Sequence, residues 1–264
     1  MAPQSDDAQS VYQKDGVQYL QKIIQLFGGY KKRGVEFLKI APGLTVLDVG
    51  CGTGEDAIAI AGFVGPSGHV TGVDNNDTML QAALQRAQSV PLPVSFQAGD
   101  AGHLPFEPNS FDRVRADRVF QHLKNTDAAL AEMIRVTKPG GWVSVLDVDW
   151  ASLLIDSTDT ALTRKILQFH YQHHVNGSAG IQLYGLFKRS ALTDVEAYAE
   201  TVCVTEWPIA SMIWGLDVFA RKAAASGVIT QDESVEWMAD LQTRSQSGLF
   251  FSSITGFVVR GRKS

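Results

Sequence analysis

Val46-Leu47-Asp48-Val49-Gly50-Cys51-Gly52-Thr53-Gly54 is an apolar run that ends in three glycines within five positions and gives way to a helical pattern. A buried strand that turns sharply into a helix has this form. Lacking a Cβ, Gly50, Gly52 and Gly54 let the backbone turn tightly and let a ligand lie against it. The dinucleotide fingerprint places its third glycine one position later, but position 55 is Glu55. Its carboxylate would occupy the helix N-terminus where a pyrophosphate should bind, which argues against a phosphate ligand.

Downstream, His69-Val70-Thr71-Gly72-Val73-Asp74 reads as a second strand ending on an acid, 20 residues after Gly54. An acid at that tip is placed to accept both hydroxyls of an adenosine ribose. Leu47-Asp48-Val49-Gly50-Cys51-Gly52-Thr53-Gly54 resembles the first motif of class I S-adenosylmethionine-dependent methyltransferases, most of all the small-molecule branch with the ubiquinone and menaquinone methylases. The resemblance is close over about residues 35 to 148 and holds in outline beyond. It implies an α/β, Rossmann-like, seven-stranded, mostly parallel sheet with the last strand antiparallel, helical cap insertions and N-terminal helices. It also implies S-adenosylmethionine as cofactor, bound by Asp48, Gly50, Cys51, Gly52, Asp74, Asn75, Met79, Gly99, Asp100, Ala101 and Arg118. Asp100 would accept from the adenine amino group beside the Ala101 amide.

Composition narrows the partner. With 23 Lys and Arg against 28 Asp and Glu, the formal net charge is -5, and no basic stripe extends beyond Lys31-Lys32-Arg33. Such a chain gains little from counterion release, so nucleic acid is disfavoured and a small-molecule acceptor fits better. Cys51 and Cys203 stand far apart, without metal-ligand spacing, and read as free thiols. No apolar stretch approaches the ~20 residues of a membrane helix, so the expectation is a cytoplasmic protein with no membrane partner. Oligomeric state is not legible; a homodimer is compatible.

Along the chain, 1–40 reads as an N-terminal helical lid, with Tyr12, Tyr19 and Tyr30 as lid contacts, and 41–150 as the cofactor-binding core. A cap insertion, 151–178, carries Leu162, Ile166, Phe169 and His173 at helical spacing together with His170, Tyr171 and His174. Residues 179–264 complete the core and contain a second insertion, 208–247, with two helical patterns, one through Ile213, Leu216 and Ala220 and one through Val235, Met238 and Leu241. The insertions' aromatics, Trp150, Tyr171, Trp207 and Trp214, suit a planar acceptor. His170, His173 and His174 read as a polar lining or a solvated helix face rather than a metal cluster. Arg113 and Arg115, alternating in the fourth strand, are odd in an apolar sheet, and nothing in the sequence accounts for them beyond strand ends or a polar face.

In O-methyltransferases of the resembled kind, a histidine after strand four and an acid ending strand five serve as base and orienter. His122 and Asp147 occupy those places, although this chain has Gln121-His122 where such relatives carry a His-His pair. The expected activity is methyl transfer from S-adenosylmethionine to O, N or C of a small, aromatic or secondary metabolite. The competing readings are an NAD(P)-dependent oxidoreductase, against which Glu55 and the lack of a Tyr-x-x-x-Lys pair argue, and a cofactor-binding subunit without catalysis.

Overall fold

The computed structural model describes residues 34–264, so most of the expected N-terminal lid, with Tyr12, Tyr19 and Tyr30, lies outside the described residues. Seven strands form one sheet: β1 (Thr45–Val49), β2 (His69–Asp74), β3 (Val94–Ala98), β4 (Phe111–Asp117), β5 (Thr137–Ile155), β6 (Leu192–Val204) and β7 (Ser252–Lys263). Their spatial order is β3-β2-β1-β4-β5-β7-β6. Strands β1 to β5 pair in parallel. β7 runs the other way: its contacts with β5 pass from Arg262 with Gly140 to Thr255 with Ser152. Its contacts with β6 likewise pass from Arg262 with Thr193 to Ser252 with Val204.

Helices α1 (Glu55–Val64) and α2 (Asp77–Gln88) are the crossovers between β1 and β3, and α3 (Thr126–Val136) leads into β5. On one side of the sheet α1 and α2 bury Ala57, Ile60, Ala61, Leu80 and Ala83 against Val46, Val70 and Phe96. On the other, Leu130 and Met133 of α3 and Leu183 and Phe187 of α5 (Ala179–Arg189) cover Leu47, Val49, Val114 and Val143. Both faces of β1 are thus buried, which is why it reads as a continuous apolar run rather than an alternating one. Asn76 caps α2 by accepting from Met79 N at 3.1 Å, and Asn125 caps α3 by accepting from Ala128 N at 3.0 Å.

Two compact units emerge. One contains the described residues up to Asp149 with Ser178–Glu200 and Gly256–Ser264; the other contains Trp150–Gly177 and Thr201–Thr255. The second holds α4 (Thr160–Gln172), α6 (Trp207–Trp214), α7 (Leu216–Ala225) and α8 (Gln231–Gln246). Three helices therefore stand where two patterns were expected in 208–247, because Gly215 adopts φ 65° and breaks the run between Ile213 and Leu216. In α8 the buried face is Ser234, Trp237 and Leu241, while Val235 is exposed. Trp237 supplies the mass of that face and donates its indole N–H to Thr163 Oγ1 at 2.8 Å.

Segment 138–141 does not end a helix. α3 stops at Val136, and Lys138-Pro139-Gly140-Gly141 loops out within β5, where the register with β4 jumps from Phe111 opposite Thr137 to Arg113 opposite Trp142. The carbonyls at the junction of α3 and β5 are met by Lys263, whose Nζ donates to Ile134 O at 2.8 Å, Arg135 O at 3.1 Å and Thr137 O at 2.7 Å. A cation on these carbonyls satisfies acceptors that have no partner within the helix.

Candidate active site

Parallel strands deliver their C-terminal ends to one edge of the sheet, and the expected site residues of the first unit gather there. Gly50, Gly52 and Gly54 take φ of 69°, 54° and 78°. Gly50 is required twice over, since a Cβ there would also lie 2.4 Å from Val119 Cγ2. At Gly54 a Cβ would meet Phe96 and Ala83 at 2.6 and 2.9 Å, so this glycine lets α2 and β3 close on the loop. Above Gly52 a Cβ would meet nothing within 4 Å, which leaves the loop's backbone open to a ligand.

Asp74 is tied to that loop. Its Oδ2 accepts from Gly52 N at 2.8 Å and its Oδ1 from Asn76 N at 2.9 Å. Each carboxylate oxygen has a further lone pair, so the half-buried group can still accept from a vicinal diol. Asp100 is exposed and turns on Gly102 N at 2.7 Å, with half-buried Gly99 and Ala101 on either side. Asn75 is exposed and Met79 half-buried at the start of α2. The described residues thus form an open glycine floor with carboxylates at the tips of β2 and β3, which suits a nucleoside with a ribose diol and an exocyclic amine. Glu55 does begin α1 as expected, but it pairs with Arg86 at 2.8 Å, and Arg86 also donates to Thr53 O at 3.0 Å.

Arg115 explains the odd charges of β4. It lies directly across from Asp48 in the β1–β4 register, and its guanidinium meets Asp48 at 3.1 Å, Asp56 at 3.5 Å and Asp117 at 2.8 Å. Three carboxylates around one buried guanidinium hold its pKa above the usual arginine range despite desolvation. Asp48, expected as a cofactor contact, is buried and committed to Arg115. Arg113 donates Nε to Leu38 O at 2.9 Å and a terminal nitrogen to Asp112 O at 2.8 Å. Cys51 is buried beside Asp48 and Asp74, and desolvation with those charges pushes its thiol well up, so it is an inert wall of the site.

After Asp117 the chain leaves β4 through Arg118, whose φ of 57° is left-handed for a residue with a side chain. The turn Phe120–His122 follows, with His122 exposed at the surface. Partial desolvation and then the Arg118 charge lower the His122 pKa. Asp147, at the end of the core part of β5, is 0% exposed. Its carboxyl accepts from Gln121 N at 3.0 Å and Val148 N at 2.9 Å. Among the described residues no hydrogen bond joins Asp147 to His122, so an orienting contact of that kind is not made. The carboxylate reaches the backbone of the preceding residue instead, because Gln121 N faces the sheet.

Of the histidines of the second unit, His173 lies on an exposed part of the helix end with Nδ1 2.7 Å from Phe169 O, while His170 and His174 pack among aromatic rings. His170 is buried, with Nε2 2.7 Å from Trp214 O and its ring 4.0 Å from that of Phe219. His174 stacks on Trp150 at 4.1 Å, and its Nε2 lies 3.3 Å from His170 Nδ1. Since a carbonyl only accepts, His170 is protonated on Nε2, and desolvation lowers its pKa to about 4. Among the described residues no cluster of His, Cys, Asp and Glu is suited to hold a metal. Trp207 and Trp214 are buried as well, Trp207 edge-on to Trp237 at 5.7 Å, so they belong to the unit's core rather than to a surface for an acceptor.

Arg115, Asp117, Val119 and Gln121 escaped sequence reading. Arg115 and Asp117 share a face at period 2, which is a signal only once Asp48 is known to lie alongside. Gln121 acts through its backbone and carries no signal.

Residues 40–185 match the family model of the methyltransferase domain. Over 93% of this chain and 70% of its own length, an uncharacterized 37.1 kDa protein of transposon TN4556 from Streptomyces fradiae is 33% identical. The demethylmenaquinone methyltransferase of Desulfitobacterium hafniense is 36% identical over 46% of this chain, and the match spans about half (48%) of that protein's length. The Bacillus subtilis YcgJ protein shares the fold, with a TM-score of 0.63 at 19% identity over 89% of this chain and 98% of its own.

Proposed function

Because this chain belongs to the methyltransferase-domain family, as a class I S-adenosylmethionine-dependent enzyme, we propose that it methylates an oxygen, nitrogen or carbon of a small aromatic or secondary metabolite. The observation that carries this reading is the open floor above Gly52, flanked by Asp74, with the His122 turn packed on Gly50 through Val119. That arrangement puts a cofactor cradle and a titratable side chain at one end of the sheet. When bound, the cofactor supplies a methyl group on a cationic sulfur, already activated for displacement.

Asp74 would hold the ribose and Asp100 the adenine amine, while the loop amides and Arg118 frame the rest. The protein's task is then to hold the acceptor atom roughly 3 Å from the methyl and in line with the bond that breaks. A base is needed only where the nucleophile must lose a proton. The depressed pKa of His122 keeps its imidazole neutral at pH 7, the form able to take a proton from a hydroxyl. For an amine or an electron-rich carbon, positioning suffices. The acidic balance of the chain supports a small acceptor over a polyanion. Demethylmenaquinone methyltransferases, related to the core, are named for one such small acceptor.

Incubation of the protein with methyl-deuterated cofactor and a metabolite extract, followed by mass spectrometry, identifies the acceptor as the species shifted by the labelled methyl. Calorimetry with S-adenosylhomocysteine and NADH separates this reading from an oxidoreductase. Binding of NADH alone would overturn it.

A further inference from the structure

We propose that Asp147 is a positioning residue whose ionised carboxylate holds the Arg118–His122 turn, and with it the imidazole of His122, so that the placement of the turn follows pH. The inference rests on the methyltransferase reading for its consequence, though not for its geometry.

Phe120 is fully buried and fixes the centre of the turn in the core, with Val119 and Leu123 packed against the same cluster, and hydrogen bonds set its polar backbone on either side. Arg118 N donates to Leu146 O at 2.8 Å, and Gln121 Nε2 donates back to Arg118 O at 3.2 Å. His122 N closes the turn on Val119 O at 2.9 Å. The turn thus reaches β5 at its start through Arg118 N and again through Gln121 N, whose acceptor is Asp147 Oδ2 at 3.0 Å. The other oxygen accepts from Val148 N at 2.9 Å. Both partners are donors, so the site is built for a group with two accepting oxygens. Protonation makes one oxygen a hydroxyl, which faces an N–H with a hydrogen of its own and accepts poorly. One of the two bonds must weaken.

Desolvation raises the Asp147 pKa to about 7, so the change falls within the working range of pH. The charged groups bearing on it are Asp117, which opposes ionisation, and Arg118, which favours it. The first turn of α5, whose Gly180 packs on the Asp147 carbonyl, is Ala179-Gly180-Ile181-Gln182 and carries no titratable group. What moves with the turn is also defined. Val119 fills the space where a Gly50 side chain would be, so displacement of the turn is felt at the glycine loop as well as at His122.

The test uses amide spectra of the isotope-labelled full-length protein from pH 5.5 to 8.5, with calorimetric titration of S-adenosylhomocysteine across the same range. The Gln121 and Val148 amide resonances should move together with a common midpoint near 7. Cofactor-product affinity should fall roughly tenfold on the acid side, the scale of one weakened hydrogen bond to a charged group. Asp147→Asn should abolish the common titration, and His122→Gln should leave it intact. Static Gln121 and Val148 amides in the unmodified protein would overturn the proposal, as would a titration that survives Asp147→Asn or vanishes in His122→Gln. Should the amides titrate while no S-adenosylhomocysteine binds at any pH, the methyltransferase reading fails and the hold of Asp147 on the turn stands.

Discussion

Replacing Arg115 with methionine removes the guanidinium that three carboxylates share while keeping an unbranched side chain of similar reach. Asp48 and Asp117 have side chains only 4% and 7% exposed, and Asp56 is 21% exposed. Without the cation, Asp48 is left in a site that water hardly reaches, while Asp117 keeps Arg118 at 3.2 Å. Breaking one partner out of a buried ion pair costs about 3 to 5 kcal/mol, and the net stability of a domain is about 5 to 15 kcal/mol. Arg115→Met should therefore lower the urea midpoint by roughly a fifth or more, read by tryptophan fluorescence. The sign of its pH dependence is also fixed. Carboxylates left in a desolvated site without their cation cost less when protonated, so the deficit should shrink as pH falls from 7 towards 5. Arg115→Lys, which keeps the charge but not the fork, should lie between the two. A loss below about 1 kcal/mol, the scale of an exposed pair, or a deficit independent of pH, would refute the view that Arg115 neutralises a buried cluster.

Asp74→Ala should weaken S-adenosylhomocysteine binding by on the order of 2 to 3 kcal/mol in calorimetry, because Gly52 N and Asn76 N lose their acceptor along with the ribose; unchanged affinity would remove Asp74 from the cofactor site. With a hydroxyl acceptor in hand, His122→Ala should reduce kcat by roughly 10²- to 10⁴-fold while leaving cofactor affinity intact, and a loss under tenfold would mean catalysis by positioning alone. His170 is buried neutral with a pKa lowered to about 4 from 6.5. Its contribution is therefore present above the unfolded value and lost as pH falls through 6.5 towards 4, on the order of 3 kcal/mol at about 1.4 kcal/mol per pKa unit. His170→Gln should flatten that part of a melting-temperature profile, and an unchanged profile would place the acid sensitivity elsewhere. Lys263→Met should cost about 1 kcal/mol in chemical denaturation by exposing the end of α3, whereas neutrality would mean that water replaces the ammonium there.

The sheet was legible because its strands and helices keep the periods that burial on two faces or one imposes, and because glycine and proline mark the turns. Asn76 and Asn125 cap α2 and α3 by the same local chemistry. Gly215 was not readable as a helix break, since the apolar pattern continues through it and only its left-handed backbone ends the run. Nor was β5's continuation to Ile155 visible, because the alternation weakens beyond Asp149. At the site, Gly50, Asp74 and Asp147 were found through their places relative to strand ends. Arg115 looked anomalous for want of its neighbours, and the partner of Asp147 was a backbone amide, which every sequence contains and none advertises.

Among the described residues, the second unit is assembled from two stretches of chain interrupted by Ser178–Glu200. α4 emerges during synthesis well before the helices it packs with: Trp214, which accepts from His170, follows 44 residues later, and Trp237, which donates to Thr163, follows after 74. At translation rates of about 5 to 20 residues per second, α4 waits roughly 4 to 15 seconds for Trp237. Through that interval α4 lacks Trp214 and Trp237, so slow codons or stalling between 172 and 240 would lengthen the life of an incompletely packed intermediate. Yield in a host that translates this stretch slowly should then depend on chaperone supply more than on the stability of the finished protein.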